Sequence, residues 1–315
     1  MERERKLTVA ILAMLILVAV IAIVDISFKI EEKRSREIKL VMPDTGAGVG
    51  IVRVEGPIEL SAPSGPFGLP SGAESIVKRL DALAKDSSIK AVVIRINSPG
   101  GTVAATQEIY EKIMKLRKKN IPVVASMGDV AASGGYYVAA ACNHIVANYG
   151  TVTGSIGVIA YSPNLRRLFD KFGIQMNVIK SGKYKDILAT HRDMTSEERA
   201  LLQEMIDSSY GKFVKDIAAG RNMSESDIIK IADGRVMSGS TALQNKLIDQ
   251  TGTFEDAVMK ARELASLDED SPVYEESTSP FNEIFGQLNR FMGNRNMPGS
   301  GMLYPVYKLE YRYMQ

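Results

Sequence analysis

Ser133 stands in Ala131-Ala-Ser-Gly-Gly-Tyr-Tyr137, directly before an apolar run, GGYYVAAAC, that reads as a helix. A hydroxyl at a helix amino terminus sits among backbone amides without intrahelical partners, and flanking glycines let a carbonyl group approach the main chain closely. That arrangement suits a nucleophile beside half of an oxyanion site. It also suits an N-cap serine followed by turn glycines, the commoner meaning of such a loop taken alone. A second turn, Asn97-Ser-Pro-Gly-Gly101, follows the run VVIRI. It can aim the Gly100 amide at an oxyanion, cradle a phosphate, or simply reverse the chain, and it lacks the Lys-Ser/Thr of a P-loop.

A serine nucleophile needs a base. Neither histidine suits a Ser-His-Asp triad: His144 opens the strand-like HIVAN and reads as structural, and His191, in the polar THRDM, reads as a solvated surface residue. A lysine can serve if burial or nearby positive charge brings its pKa from about 10.4 toward neutrality. Lys180, Lys183 and Lys185, in VIKSGKYKDI, are the candidates, and spacing does not choose among them. The single cysteine, Cys142, allows no internal disulfide and in VAAAC reads as a small buried hydrophobe. With two histidines it makes no zinc site of common spacing, so metal catalysis is not expected.

The elements that must position these residues form an α/β series. Apolar, β-branched runs recur at VIRIN (93–97), PVVAS (122–126), HIVAN (144–148), SIGVIA (155–160) and MNVIK (176–180), and near-continuous ones such as Ala91 to Ile96 suit parallel strands covered on both faces. Between them Ile76, Leu80 and Leu83 share one helical face, as do Ile109, Ile113 and Leu116, whose helix closes at Lys118, Lys119 and Pro122. Thr195-Ser-Glu-Glu198 is a capping box opening a long helix with Leu202, Ile206, Phe213 and Ile217 at helical spacing, and Ser224 to Asp227 starts another. With 45% hydrophobic residues, 24% charged residues and a net charge of +2, the chain is an ordinary folded protein with no nucleic-acid signature.

The amino terminus differs. Leu7 to Val24 is an uncharged apolar stretch, nearly long enough as a helix to cross a bilayer. No small-x-small cleavage site follows, so an uncleaved anchor is expected. Arg3, Arg5 and Lys6 precede it and Lys29, Lys33, Arg34, Arg36 and Lys39 follow, so charge alone does not place the bulk of the chain outside. The expected organisation is an anchor (1–28), a charged and then Gly-rich linker (29–49), a catalytic domain (50–270) and a carboxy-terminal extension (271–315).

In order, NSPGG (97–101), DVAASGGYY (129–137), TGSIGV (153–158), SGKYKD (181–186) and IADGRV (231–236) closely resemble the signal peptide peptidase A family, of the shorter single-domain kind, over roughly Gly50 to Ala265. The resemblance implies a ClpP/crotonase-like spiral of parallel βα units assembled into membrane-tethered rings, with the catalytic domain outside the cytoplasm and hydrophobic peptides, such as remnant signal peptides, as substrates. It implies Ser133 as nucleophile, Lys185 as general base, Ser155 orienting the lysine, and Gly100 as an oxyanion donor, with no metal or cofactor required; Gly134 supplies the second amide by following the nucleophile. The rival readings are a Ser-Lys membrane protease of the stomatin-partner type, a crotonase-like acyl-CoA enzyme, and a non-catalytic membrane scaffold. From Asn294 a Gly/Pro-rich connector leads to a tail with Tyr304, Tyr307, Tyr311 and Tyr313, expected either as an edge strand or as an occupant of a peptide groove.

Overall fold

The structure, a computed structural model, describes residues 46–61, 72–275 and 310–312. In chain order the elements are β1 (Gly48–Glu55), α1 (Ala73–Lys85), β2 (Ile89–Ser98), β3 (Gly100–Thr102), α2 (Val103–Lys118), β4 (Val123–Ala132), α3 (Gly134–Ala140), β5 (His144–Ala147) and β6 (Val152–Gly154). There follow α4 (Arg166–Phe172), α5 (Ser196–Arg221), α6 (Glu225–Ile229), β7 (Val236–Ser238), α7 (Gly239–Gln244), β8 (Gln250–Thr251), α8 (Phe254–Leu264), β9 (Val273–Glu275) and β10 (Glu310–Arg312). The apolar stretch 7–24 lies outside the described residues, among which no helix is long and apolar enough to cross a membrane.

The main sheet runs β7-β6-β4-β2-β1-β9, with β5 joining β4 to β8; every pairing in it is parallel except β6 with β7. Its strands alternate between two buried faces, as a covered parallel sheet requires. Val49, Ile51, Ala91, Val93, Val124 and Val146 pack with Ala257, Val258 and Ala261 of α8. On the other face a Cβ at Gly50 would lie 2.7 Å from a Leu83 methyl, so α1 rests directly on the strand there. Ile109, Ile113 and Leu116 of α2 are buried, as their spacing predicts. The capping box forms as expected, with Glu198 N donating to Thr195 Oγ1 (3.2 Å) and Thr195 N to Glu198 Oε2 (2.9 Å).

Two expected strands are not strands. SIGVIA follows β6 rather than forming it, and MNVIK is irregular and wholly exposed. MNVIK pairs with no strand among the described residues, and β-propensity without a neighbouring strand does not make a strand. SIGVIA meets the turn before β7 through two backbone bonds, Ser155 N to Arg235 O (2.7 Å) and Gly234 N to Ile156 O (3.1 Å), without continuing the ladder. The tail gives β10, which pairs antiparallel with β3 in the register Tyr311↔Gly101.

Candidate active site

Ser133 is the joint between β4 and α3, with φ 54° and ψ −115°. That is the geometry of the first central residue of a II′ turn, glycine's territory, and a serine held there costs about 1–3 kcal/mol. The side chain makes no capping hydrogen bond to its helix, so the N-cap reading does not hold. A strained strand-to-helix turn is instead how a nucleophilic serine is presented at the top of a parallel sheet. The surroundings fix this backbone: Ser133 N donates to Gly154 O (2.8 Å), and Tyr137 N donates to Ser133 O (2.9 Å). The whole of α3 is buried. Its Tyr136 hydroxyl donates to Leu247 O (2.8 Å), and Tyr137 bonds the Asp216 carboxylate while packing between Tyr110 and Phe213. The two tyrosines of the GGYY run are therefore anchors.

The Ser-Pro-Gly-Gly turn lies against this joint. A Cβ at Gly134 would sit 3.1 Å from Gly101 N and 3.2 Å from Gly100 Cα. Ser98 Oγ donates to Gly56 O (2.6 Å) and accepts from Gly100 N (3.1 Å), so the Gly100 amide, expected to face an oxyanion, is directed at Ser98 instead. Ile58 N donates to Gly100 O and Thr102 N donates to Ile58 O, both at 2.8 Å. Because successive residues of an extended chain point their polar groups to opposite sides, Gly101 turns its amide and carbonyl away from Ile58, toward β10. Sequence reading passed over Ser98 although it lies inside the motif, since only the bond to Gly56, 42 residues earlier, reveals its part. It also passed over Thr106, whose hydroxyl donates to Thr102 O (2.8 Å) and stands where a Gly134 side chain would be.

Ser155 comes off the neighbouring strand. β6 pairs with β4 in the register Ala132↔Gly154, so Ser133 and Ser155 each follow one of two directly paired residues, on strands about 4.8 Å apart. Ser155 also has a positive φ of 50°, and its amide donates to Arg235 O (2.7 Å) in the ADGR turn. The structure thus gathers Ser133, Gly134, Gly100 and Ser155 at the carboxyl ends of parallel strands, where α/β sheets keep their sites.

The lysines lie elsewhere. No residue between 157 and 197 is buried. Lys180 pairs with Asp186 and Lys183 with Glu197. Lys185 is exposed and, among the described residues, makes no side-chain hydrogen bond or ion pair, with Ser133 and Ser155 or with anything else. Arg192 bridges Asp186 and Glu198. Hydrogen bonds from Arg192 and Lys180 hold the Asp186 carboxyl far below its ordinary range, and Arg192 with Thr195 draws Glu198 down to about 2. Of the other candidates, His144 Nε2 lies 3.1 Å from Gln250 Oε1 in a structural setting, and His191 is half-buried rather than solvated. Cys142 is buried, which pushes its thiol up to about 12.

The profile of peptidase family S49 matches residues 115–268, and that of Clp protease matches residues 70–147. A protein of Synechocystis sp. named as a protease is 48% identical over 202 residues, covering 64% of this chain and 73% of that protein. One of Enterococcus faecium named as signal peptide peptidase SppA is 34% identical over 229 residues, covering 73% of this chain and 65% of that protein. Protease 4 of Haemophilus influenzae is 33% identical over 213 residues, covering 68% of this chain, which spans only 34% of that relative's length.

Proposed function

The chain belongs to peptidase family S49, the signal peptide peptidase A family, and from that premise we propose that it is a membrane-anchored serine endopeptidase that degrades hydrophobic peptides, remnant signal peptides among them. Ser133 attacks the peptide carbonyl, Lys185 takes its proton and returns it to the leaving amine, and Ser155 orients the lysine. The Gly134 amide holds the oxyanion together with the Gly100–Gly101 turn, in which the Gly101 amide is the one turned toward the peptide edge. The observation that carries this reading is the strained backbone of Ser133, whose hydroxyl makes no capping bond and whose φ of 54° is held by a serine where a plain turn would use glycine. The apolar stretch 7–24 anchors the chain, with the catalytic domain outside the cytoplasm.

A neutral lysine needs a dry setting, which the exposed Lys185 turn does not have within one subunit. The same excursion presents Tyr161 (62% exposed), Phe172 (69%), Met176 (56%) and Ile179 (101%) as an apolar surface open to solvent. A neighbouring copy in a ring covers it and brings Lys185 to a serine across the interface. Ser133→Ala and Lys185→Ala proteins, each inactive alone, then regain up to about a quarter of wild-type cleavage when unfolded together and reassembled at equal amounts, the chance that an intact serine meets an intact lysine. No recovery would place both residues of the dyad in one subunit.

The tail supports the mode of substrate binding. An extended peptide adds to the edge of β3 as β10 does, main chain to main chain. A tethered competitor acts at millimolar effective concentration. Ending the chain at residue 295 is therefore expected to lower the KM for a short apolar peptide several-fold at constant kcat, and an unchanged KM would separate the tail from the substrate groove.

A further inference from the structure

Between Ile156 and Glu198 no side chain is buried, so no hydrophobic core fixes the turn that carries Lys185. A polar clamp stands in its place. Every nitrogen of the Arg192 guanidinium is engaged. Nε donates to Asp186 Oδ2 (3.0 Å), Nη1 to Glu198 Oε2 (2.9 Å) and Asp193 O (3.1 Å), and Nη2 to Glu198 Oε1 (2.5 Å) and to the main-chain Asp186 O (3.1 Å). Asp186 is the residue after Lys185, and Glu198 is the third residue of α5, the longest described helix, where it also closes the capping box on Thr195. The Glu198 side chain is only 3% exposed and that of Asp186 13%. A planar fork bonding two carboxylates and a carbonyl fixes orientation as well as distance, which a point charge cannot do.

We propose that Arg192 is a positioning residue for the general base: by tying the Asp186 carboxylate and carbonyl to the buried Glu198 at the start of α5, it fixes the turn from which Lys185 reaches the serine. The inference rests on Lys185 being that base. Lys180 completes the clamp from the far side, pairing with Asp186 and donating to Lys183 O (3.0 Å). The charged groups around the Lys185 turn are thus Lys180, Lys183, Asp186, Arg192, Glu197 and Glu198.

The test uses the full chain in detergent, with Arg192→Ala, Arg192→Lys, Glu198→Gln and Lys185→Ala compared for kcat, KM, melting temperature and the pH dependence of kcat/KM. A reacting group misplaced by about 1 Å costs on the order of 10²-fold. Arg192→Ala is expected to lower kcat by about that factor while KM changes less than about threefold. A loosened turn admits water to the amine and favours its charged form, so the acid limb of the profile moves to higher pH. Loss of folded protein alone would scale the whole profile and leave the limb in place. Arg192→Lys keeps the charge but not the fork, so it folds and still shows the lowered kcat and the moved limb, which keeps the test open if Arg192→Ala fails to fold. Glu198→Gln shows the same change in milder form. Wild-type kcat and an unmoved limb in Arg192→Lys and Arg192→Ala, with Lys185→Ala inactive, would overturn the positioning role and leave the base assignment standing. Activity retained in Lys185→Ala would instead overturn the base assignment, and the inference with it.

Discussion

Ser133→Ala is expected to lower peptide cleavage by roughly 10⁴-fold or more, the scale set when one member of a nucleophile–base unit is removed, while the melting temperature moves by no more than about 2 °C. The hydroxyl caps no helix, and alanine keeps the Cβ that makes φ 54° costly, so the folded state loses almost nothing that the serine supplied. Ser133→Gly sharpens the point. Glycine adopts this geometry freely, so that variant should be equally inactive yet more stable by about 1 kcal/mol, a rise of about 2–4 °C for a domain of this size. A protein that gains stability on losing its nucleophile has been storing strain for function. Lys185→Ala is expected to match Ser133→Ala in activity, whereas Lys183→Ala, which removes an exposed ion pair with Glu197 and a contact over the Tyr184 ring, should stay within a few-fold of wild type. Cleavage by all of these at the wild-type rate, followed with a fluorogenic apolar peptide, would refute the mechanism. Loss with Lys183→Ala in place of Lys185→Ala would move the base by two positions.

The βα frame was legible because its rule is local: buried parallel strands are continuous apolar runs, and the helices between them keep a 3.6-residue face, as at Ile109, Ile113 and Leu116. The same rule failed at MNVIK, which pairs with no strand among the described residues, and at SIGVIA, where Ser155 and Ile156 bond the turn before β7 without continuing the β6–β7 ladder. In the site, the turn around Ser133 was visible as a glycine-flanked serine before a helix. Its meaning was not, since a cap and a strained joint have the same sequence and differ in φ and in whether the hydroxyl bonds the helix. Gly100 against Gly101 is a finer case. Which amide faces the peptide edge depends on Ser98 taking one of them and Ile58 fixing the register, contacts made across 42 residues and through a single isolated bridge. The lysine was least legible of all, because three candidates within six positions differ only in their partners: Lys180 and Lys183 are held by acids, and Lys185 is not.

Gly101→Ala is expected to be the most damaging single methyl that can be added near the site. Its Cβ would fall 1.9 Å from Ile58 O, 2.5 Å from Ile58 C and 2.6 Å from Ile58 N, all of it backbone. Ile58 is 2% exposed and bonded on both sides, through Gly100 O and Thr102 N, so it does not yield. The strain must then be relieved by β3, which moves by about 1 Å or more toward Ser133 and the peptide edge. Overpacking of this kind costs about 1–3 kcal/mol or more, and at about 2–4 °C per kcal/mol the melting temperature drops by several degrees. A shift of that size in the turn carrying the Gly101 amide lowers turnover by about 10²-fold beyond what the lost stability explains. Gly134→Ala provides the comparison. Its Cβ meets Thr106 Oγ1 at 2.9 Å, a side-chain atom that can rotate away for the loss of one hydrogen bond, and Gly101 N at 3.1 Å, where a few tenths of an ångström suffice. Its melting temperature should therefore lie between those of wild type and Gly101→Ala. The reverse order would mean that the turn is braced by the serine joint rather than by Ile58, and that β3 is free to move when a peptide strand pairs with it.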